Sequence, residues 1–110
     1  MLEVRNRRYI VTGASSGIGL DAARLLHENG AEVCLVARRG DLLAGIVTEL
    51  GSRAWSHACD LEDPIEIEAL AAAVGKRWGA AEGLVNNAGI APMASLDETD
   101  LATWDTVFDV

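Results

Sequence analysis

Positive charge is scarce in this chain. Nine Lys and Arg stand against seventeen Asp and Glu, for a net charge of −8 at pH 7. A surface that acidic is a poor match for nucleic acid or an anionic membrane. Long apolar runs are also missing. None approaches the ~20 residues that cross a bilayer as a helix, so no membrane partner is expected. Residues 1 to 8 carry Glu3, Arg5, Arg7 and Arg8 with no apolar h-region, which argues against a signal peptide. Cysteine occurs only as Cys34 and Cys59. Both fall within expected strands and read as buried free thiols in a reducing compartment, so a cytoplasmic setting is expected. No clustering of His, Cys or carboxylates suggests a metal site. His27 and His57 are isolated and read as structural or exposed. No repeat, low-complexity tract or linker interrupts the 110 residues, and residues 1–110 are expected to form one domain.

Half of the residues are apolar, and they are arranged with clear punctuation. The organising stretch runs from Tyr9 to Gly30. A short apolar run, Tyr9 to Val11, has strand composition. Gly13, Gly17 and Gly19 follow, and then a helical pattern begins. Spacing puts Ile18, Ala22, Leu25 and Leu26 on one side of that helix and Asp21, Arg24 and Glu28 on the other, with Gly30 closing it. Strand, glycine turn and helix make a phosphate-binding arrangement. Glycines let the backbone approach a diphosphate, and the unpaired N–H groups and dipole of the helix start favour its charge.

The remaining elements alternate. Strand one is expected at about Arg8 to Thr12 and helix one at about Ser16 to Asn29. Strand two, Glu32 to Ala37, is nearly all apolar, as suits a strand buried on both faces of a parallel sheet. Asp41 is positioned to cap a second helix carrying Leu43, Val47 and Leu50 inward, with Gly51 at its end. Strand three, Ala54 to Cys59, is interrupted by Trp55, Ser56 and His57, which suits a sheet edge. Helix three has the strongest start signal: Asp63 as cap, Pro64 at its first position and Glu66 placed for a capping box. Its apolar stripe is Ile67, Leu70, Val74 and Trp78, and Gly79 ends it. Strand four is short, Gly83 to Asn86. A loop with Pro92 leads to a last helix from about Asp100, with Leu101, Trp104 and Phe108 inward. Regular alternation of strand and helix predicts an α/β fold, a Rossmann-like parallel sheet with helices on both faces and strand order 3-2-1-4. Ligand is expected at the carboxyl ends of the strands, where strands one and four diverge.

The glycine spacing is Thr12-Gly13-x-x-x-Gly17-x-Gly19 rather than G-x-G-x-x-G, and this pattern resembles the short-chain dehydrogenase/reductase family. Four landmarks in order carry the resemblance over essentially the whole chain. The first is that turn, Thr12 to Gly19, in which Ser15 and Ser16 can offer hydroxyls to phosphate or cap the helix, next to Gly17, Ile18 and Gly19. The second is the end of strand two. There Ala37 is followed by Arg38 and Arg39, with no carboxylate to repel a 2′-phosphate and a guanidinium able to pair with it. In the family an arginine here marks NADP, which is therefore expected in preference to NAD. The third is Cys59-Asp60-Leu61, where the resemblance implies that Asp60 and the Leu61 backbone meet the adenine. The fourth is Asn86-Asn87-Ala88-Gly89, a turn that in the family braces the sheet and lines the cofactor.

The resemblance implies NADP(H)-dependent oxidoreduction: hydride transfer that reduces a carbonyl or oxidises an alcohol on a small molecule, in a parent that is a homo-oligomer. The family acid–base apparatus is a Tyr-x-x-x-Lys pair with a substrate-positioning serine. The only tyrosine here is Tyr9 and the only lysine is Lys76, so that pair is not in this sequence. The chain is accordingly expected to be the amino-terminal, cofactor-binding part of such an enzyme and inactive on its own. A dinucleotide-binding module without chemistry, or an inactive remnant, are the other readings.

Overall fold

The computed structural model describes residues 4–15 and 17–86. Ser16, Asn87 to Gly89, the loop with Pro92 and the expected last helix lie outside them. Seven elements alternate in order: β1 (Arg8–Thr12), α1 (Gly17–Glu28), β2 (Glu32–Ala37), α2 (Gly40–Leu50), β3 (Ala54–Ala58), α3 (Pro64–Trp78) and β4 (Gly83–Val85). The four strands form one parallel sheet in the order β3-β2-β1-β4. Register follows the chain without slips, with Tyr9 opposite both Val33 and Gly83, and Cys34 opposite Trp55.

The strand period of two separates the apolar residues into two cores. Ile10, Cys34, Val36 and Leu84 face α3, where they meet Ile67, Leu70, Val74 and Trp78. Val11, Val33 and Leu35 face the other way, onto Ala23 and Leu26 of α1 and Leu43 and Ile46 of α2. Val33 to Val36 of the central strand β2 are hidden on both sides, which is why that run is apolar without a break. β3 is at one edge of the described sheet, as its mixed sequence predicts. Trp55 on it meets Trp78 edge to face, ring centres 5.4 Å apart, and the Arg77 guanidinium lies 4.8 Å from its ring.

The helix ends follow local chemistry, with three departures from expectation. α3 begins as expected, Asp63 accepting from Ile65 N–H at 2.9 Å with Pro64 in the first turn. Glu66, however, does not close a capping box on Asp63. It accepts instead from the N–H of Asp60 at 3.0 Å, because the Asp63 N–H already donates to the Asp60 carbonyl. Asp41 does not cap α2. The helix starts earlier, at Gly40, with Arg39 in the capping position, and Asp41 falls in the first turn. In α1 the buried face is Gly19, Ala23 and Leu26, whereas Ile18 is 77% and Leu25 51% exposed. The inward stripe is thus rotated from the one the large apolar residues suggest, because small residues are needed where α1 meets β1.

Replacing Asp63 by alanine removes the cap on α3 and should lower the unfolding free energy by about 1 kcal/mol in a urea titration. Asp63→Asn keeps an acceptor and should lose much less. Equal losses for the two variants would assign the effect to charge instead.

Candidate functional site

Three connections meet over the carboxyl ends of β1, β2 and β3. The β1–α1 turn is held tightly. Gly13 and Gly17 both adopt left-handed backbone, at φ of 61° and 62°. The Ala14 N–H donates to the Val36 carbonyl at 3.1 Å, tying the turn to the end of β2. Gly19, in the first turn of α1, sits directly on the backbone of Gly13. A Cβ there would lie 2.2 Å from the Gly13 carbonyl oxygen, so only glycine permits the approach. The result is a glycine turn packed closely on the start of α1, where the first N–H groups of a helix have no intrahelical partner.

The β2–α2 connection carries Arg38 and Arg39, both exposed. Arg39 is held by Asp41 through two hydrogen bonds, Nε to Oδ1 at 3.1 Å and Nη2 to Oδ2 at 2.9 Å. That bond holds the Asp41 carboxyl below its ordinary value and raises the guanidinium above its own. Arg38 has no ion pair among the described residues.

The β3–α3 connection is a compact acidic turn. The Asp60 carboxylate accepts from the Glu62 N–H at 2.9 Å, its carbonyl accepts from the Asp63 N–H at 3.0 Å, and its own N–H donates to Glu66. Asp60 is therefore fixed at three points, with a second carboxylate oxygen left over. Cys59, buried beside it, has its thiol pushed up to about 11, first by burial and then by Glu66, Asp60 and Asp63. Cys34, deeper in β2, is pushed up to about 12 by burial, with Arg77 opposing. Both thiols are neutral near pH 7.

These connections enclose an open cavity of about 380 Å³ lined by Gly13, Ser15, Ala37, Arg38, Arg39, Cys59, Asp60, Leu61 and Glu62. Six of the residues singled out in the sequence thus come together: Gly13, Ser15, Arg38, Arg39, Asp60 and Leu61. Gly17, Ile18 and Gly19 do not line this cavity; they form the helix start beside it. Asn86 follows β4, where its Oδ1 accepts from the buried Thr12 hydroxyl at 3.1 Å, so the fourth landmark begins against the first. Asn87, Ala88, Gly89 and Ser16 lie outside the described residues. The cavity sits at the carboxyl ends of β1, β2 and β3, and the turn after β4 lies outside the described residues beyond Asn86.

Sequence reasoning missed Glu62 and Glu66. Glu62 reaches the cavity wall because the Asp60 turn presents it there, and Glu66 fixes that turn from α3. The spacing Asp60 to Glu66, one helical cap and a first turn apart, was the available signal. Among the described residues no cluster of three or more His, Cys, Asp or Glu could hold a metal ion. No helix among them is long and apolar enough to cross a membrane.

Residues 7–110 match the family model described as short chain dehydrogenase. An uncharacterized oxidoreductase of Staphylococcus saprophyticus is 37% identical over all of this chain and 45% of its own length. A putative ketoacyl reductase of Streptomyces coelicolor is 47% identical over 73% of this chain and 32% of its own. A crystal structure of an actinorhodin polyketide ketoreductase variant with NADPH superposes with a TM-score of 0.71 at 44% identity, over 78% of this chain and 34% of that one. The chain spans less than half the length of these curated relatives, 45% of the oxidoreductase and 32% of the ketoacyl reductase.

Proposed function

Because this chain belongs to the short-chain dehydrogenase family, we propose that its cavity holds NADP(H) and that the whole protein is an NADP(H)-dependent oxidoreductase. The reaction is reduction of a carbonyl or oxidation of an alcohol on a small molecule. The observation that carries this reading is the meeting of Arg38, without an ion pair among the described residues, with the glycine turn and Asp60 around one cavity. NADPH in the related ketoreductase structure supports the same choice.

The residues present suit the group. Ala37 ends β2 where an NAD-preferring site would carry a carboxylate for the ribose hydroxyls. The Arg38 guanidinium offers a fork of donors matched to a 2′-phosphate. The turn of Gly13, Ser15, Ser16 and Gly17 to Gly19 would take the diphosphate at the start of α1. Asp60 and the Leu61 backbone would take the adenine, and Asn86 to Gly89 the second ribose. The nicotinamide supplies the hydride. The residues of this chain bind and orient it. Neither Tyr9 nor Lys76 is among the residues that line the cavity.

Titration of the purified full-length protein with NADPH and NADH, followed by nucleotide fluorescence, tests the reading. NADPH should bind at least about tenfold tighter, as one charge-assisted pair to the extra phosphate provides. Tighter binding of NADH, or binding of neither, would overturn it.

A further inference from the structure

Asp41 does not line the cavity, yet it restrains a group that does. Its two carboxylate oxygens occupy the Nε–Nη2 edge of Arg39, at 3.1 and 2.9 Å. This is one of the two edges, the other being Nη1–Nη2, with which a guanidinium grips a phosphate bidentately. Arg39 is left with its remaining donors and with its charge matched by a carboxylate at contact distance. Arg38, beside it in sequence and in the cavity wall, has no such counter-ion among the described residues. The basic end of the cavity therefore holds one open guanidinium and one engaged.

The pair joins residues on either side of Gly40, across the start of α2, so the local backbone alone keeps the partners together. Each side chain is 66% exposed. An exposed pair of this kind is weak and opens readily, so its effect on a ligand is graded.

Resting on the NADP(H) reading, we infer that Asp41 is a specificity-determining residue: by engaging Arg39 it leaves the 2′-phosphate to Arg38 and holds the preference for NADP(H) below what the two arginines together would give. Asp41 acts through Arg39 and is a positioning residue. Its place in the first turn of α2 gives it a helix-dipole role as well. That role affects unfolding, whereas the hold on Arg39 is read in the ratio of the two cofactor affinities and in whether its change needs Arg39.

The test is a double-mutant cycle on the full-length protein, with dissociation constants for NADP+ and NAD+ measured by calorimetry and thermal unfolding recorded alongside. Asp41→Asn keeps the side-chain shape and removes the charge. It should tighten NADP+ by roughly two- to fivefold, the scale of one exposed charge interaction, and leave the NAD+ affinity unchanged. In an Arg39→Ala background the same replacement should change NADP+ by less than about twofold. An unchanged NADP+/NAD+ ratio in the single variant would overturn the inference. So would an equal gain in both backgrounds, since Asp41 would then act by its own charge. A parent protein that shows no preference for NADP+ would sink the cofactor reading itself, and this inference with it.

Discussion

Replacing Gly19 by alanine is expected to be the most damaging single-methyl change in the described part of the chain. The added Cβ would lie 2.2 Å from the Gly13 carbonyl oxygen, 2.8 Å from the Gly13 carbonyl carbon and 2.9 Å from the Thr12 oxygen. All three atoms are backbone, so no rotamer change relieves the overlap. α1 would have to withdraw from β1, and Ala23 and Leu26 would lose their seats against Val11 and Val33. Overpacking of a tight core costs about 1–3 kcal/mol where side chains can yield. With backbone on both sides the cost should reach or exceed the top of that range, ~3 kcal/mol. Gly17→Ala is the informative control. Its Cβ would meet nothing within 4 Å, so only the left-handed φ of 62° penalises it, by about 1–2 kcal/mol. Urea unfolding of the two variants should rank them in that order. A Gly19→Ala protein as stable as the parent would show that strand and helix do not touch at this point.

Arg38→Ala should carry the largest effect on cofactor choice. A charge-assisted hydrogen bond contributes about 1.5–3 kcal/mol, so NADP+ should bind roughly ten- to a hundredfold more weakly. NAD+ should be almost unaffected, because it has no 2′-phosphate for the guanidinium to hold. Arg38→Lys should recover only part of the loss, since an ammonium keeps the charge and not the fork. Added salt should narrow the gap between parent and alanine variant, because the site is exposed. Equal weakening of both cofactors would remove Arg38 from the 2′-phosphate and leave it a general attractor for anions.

Some of this was legible in the sequence because a single local signal decided it. β2 could be bounded from Glu32 to Ala37 since an apolar run between Gly30 and Arg38 admits no other element. The start of α3 was fixed by Asp63 and Pro64, whose chemistry acts over one turn. Strand order followed from the handedness of the crossovers. What escaped was decided by close contacts that hydrophobicity does not encode. Ile18 and Leu25 look like the inner face of α1, but helix and strand approach so closely at Gly19 that glycine and alanine must face inward. Asp41 has the composition of a helix cap, and it is drawn instead to the neighbouring Arg39. Glu66 sits where a capping box would need it, and a competing bond from the Asp63 N–H to the Asp60 carbonyl sends it to the Asp60 N–H. At the site, residue identities were readable and their convergence was not: Glu62 acquires a place in the wall only through the shape of the Asp60 turn.

The stretch from Thr12 to Ser15 is tied both to the sheet and to the start of α1. Its backbone is pinned by the Ala14–Val36 hydrogen bond and by the contact of Gly19 with Gly13. A turn held at two points has little freedom to lose when a phosphate docks on it. Association rates are lowered when binding must await a conformational change, and related ligands on a preformed surface differ mainly in how fast they leave. Stopped-flow traces for NADP+ and NAD+ should accordingly show similar on-rates at physiological salt, with the discrimination made by Arg38 appearing as a longer residence time for NADP+.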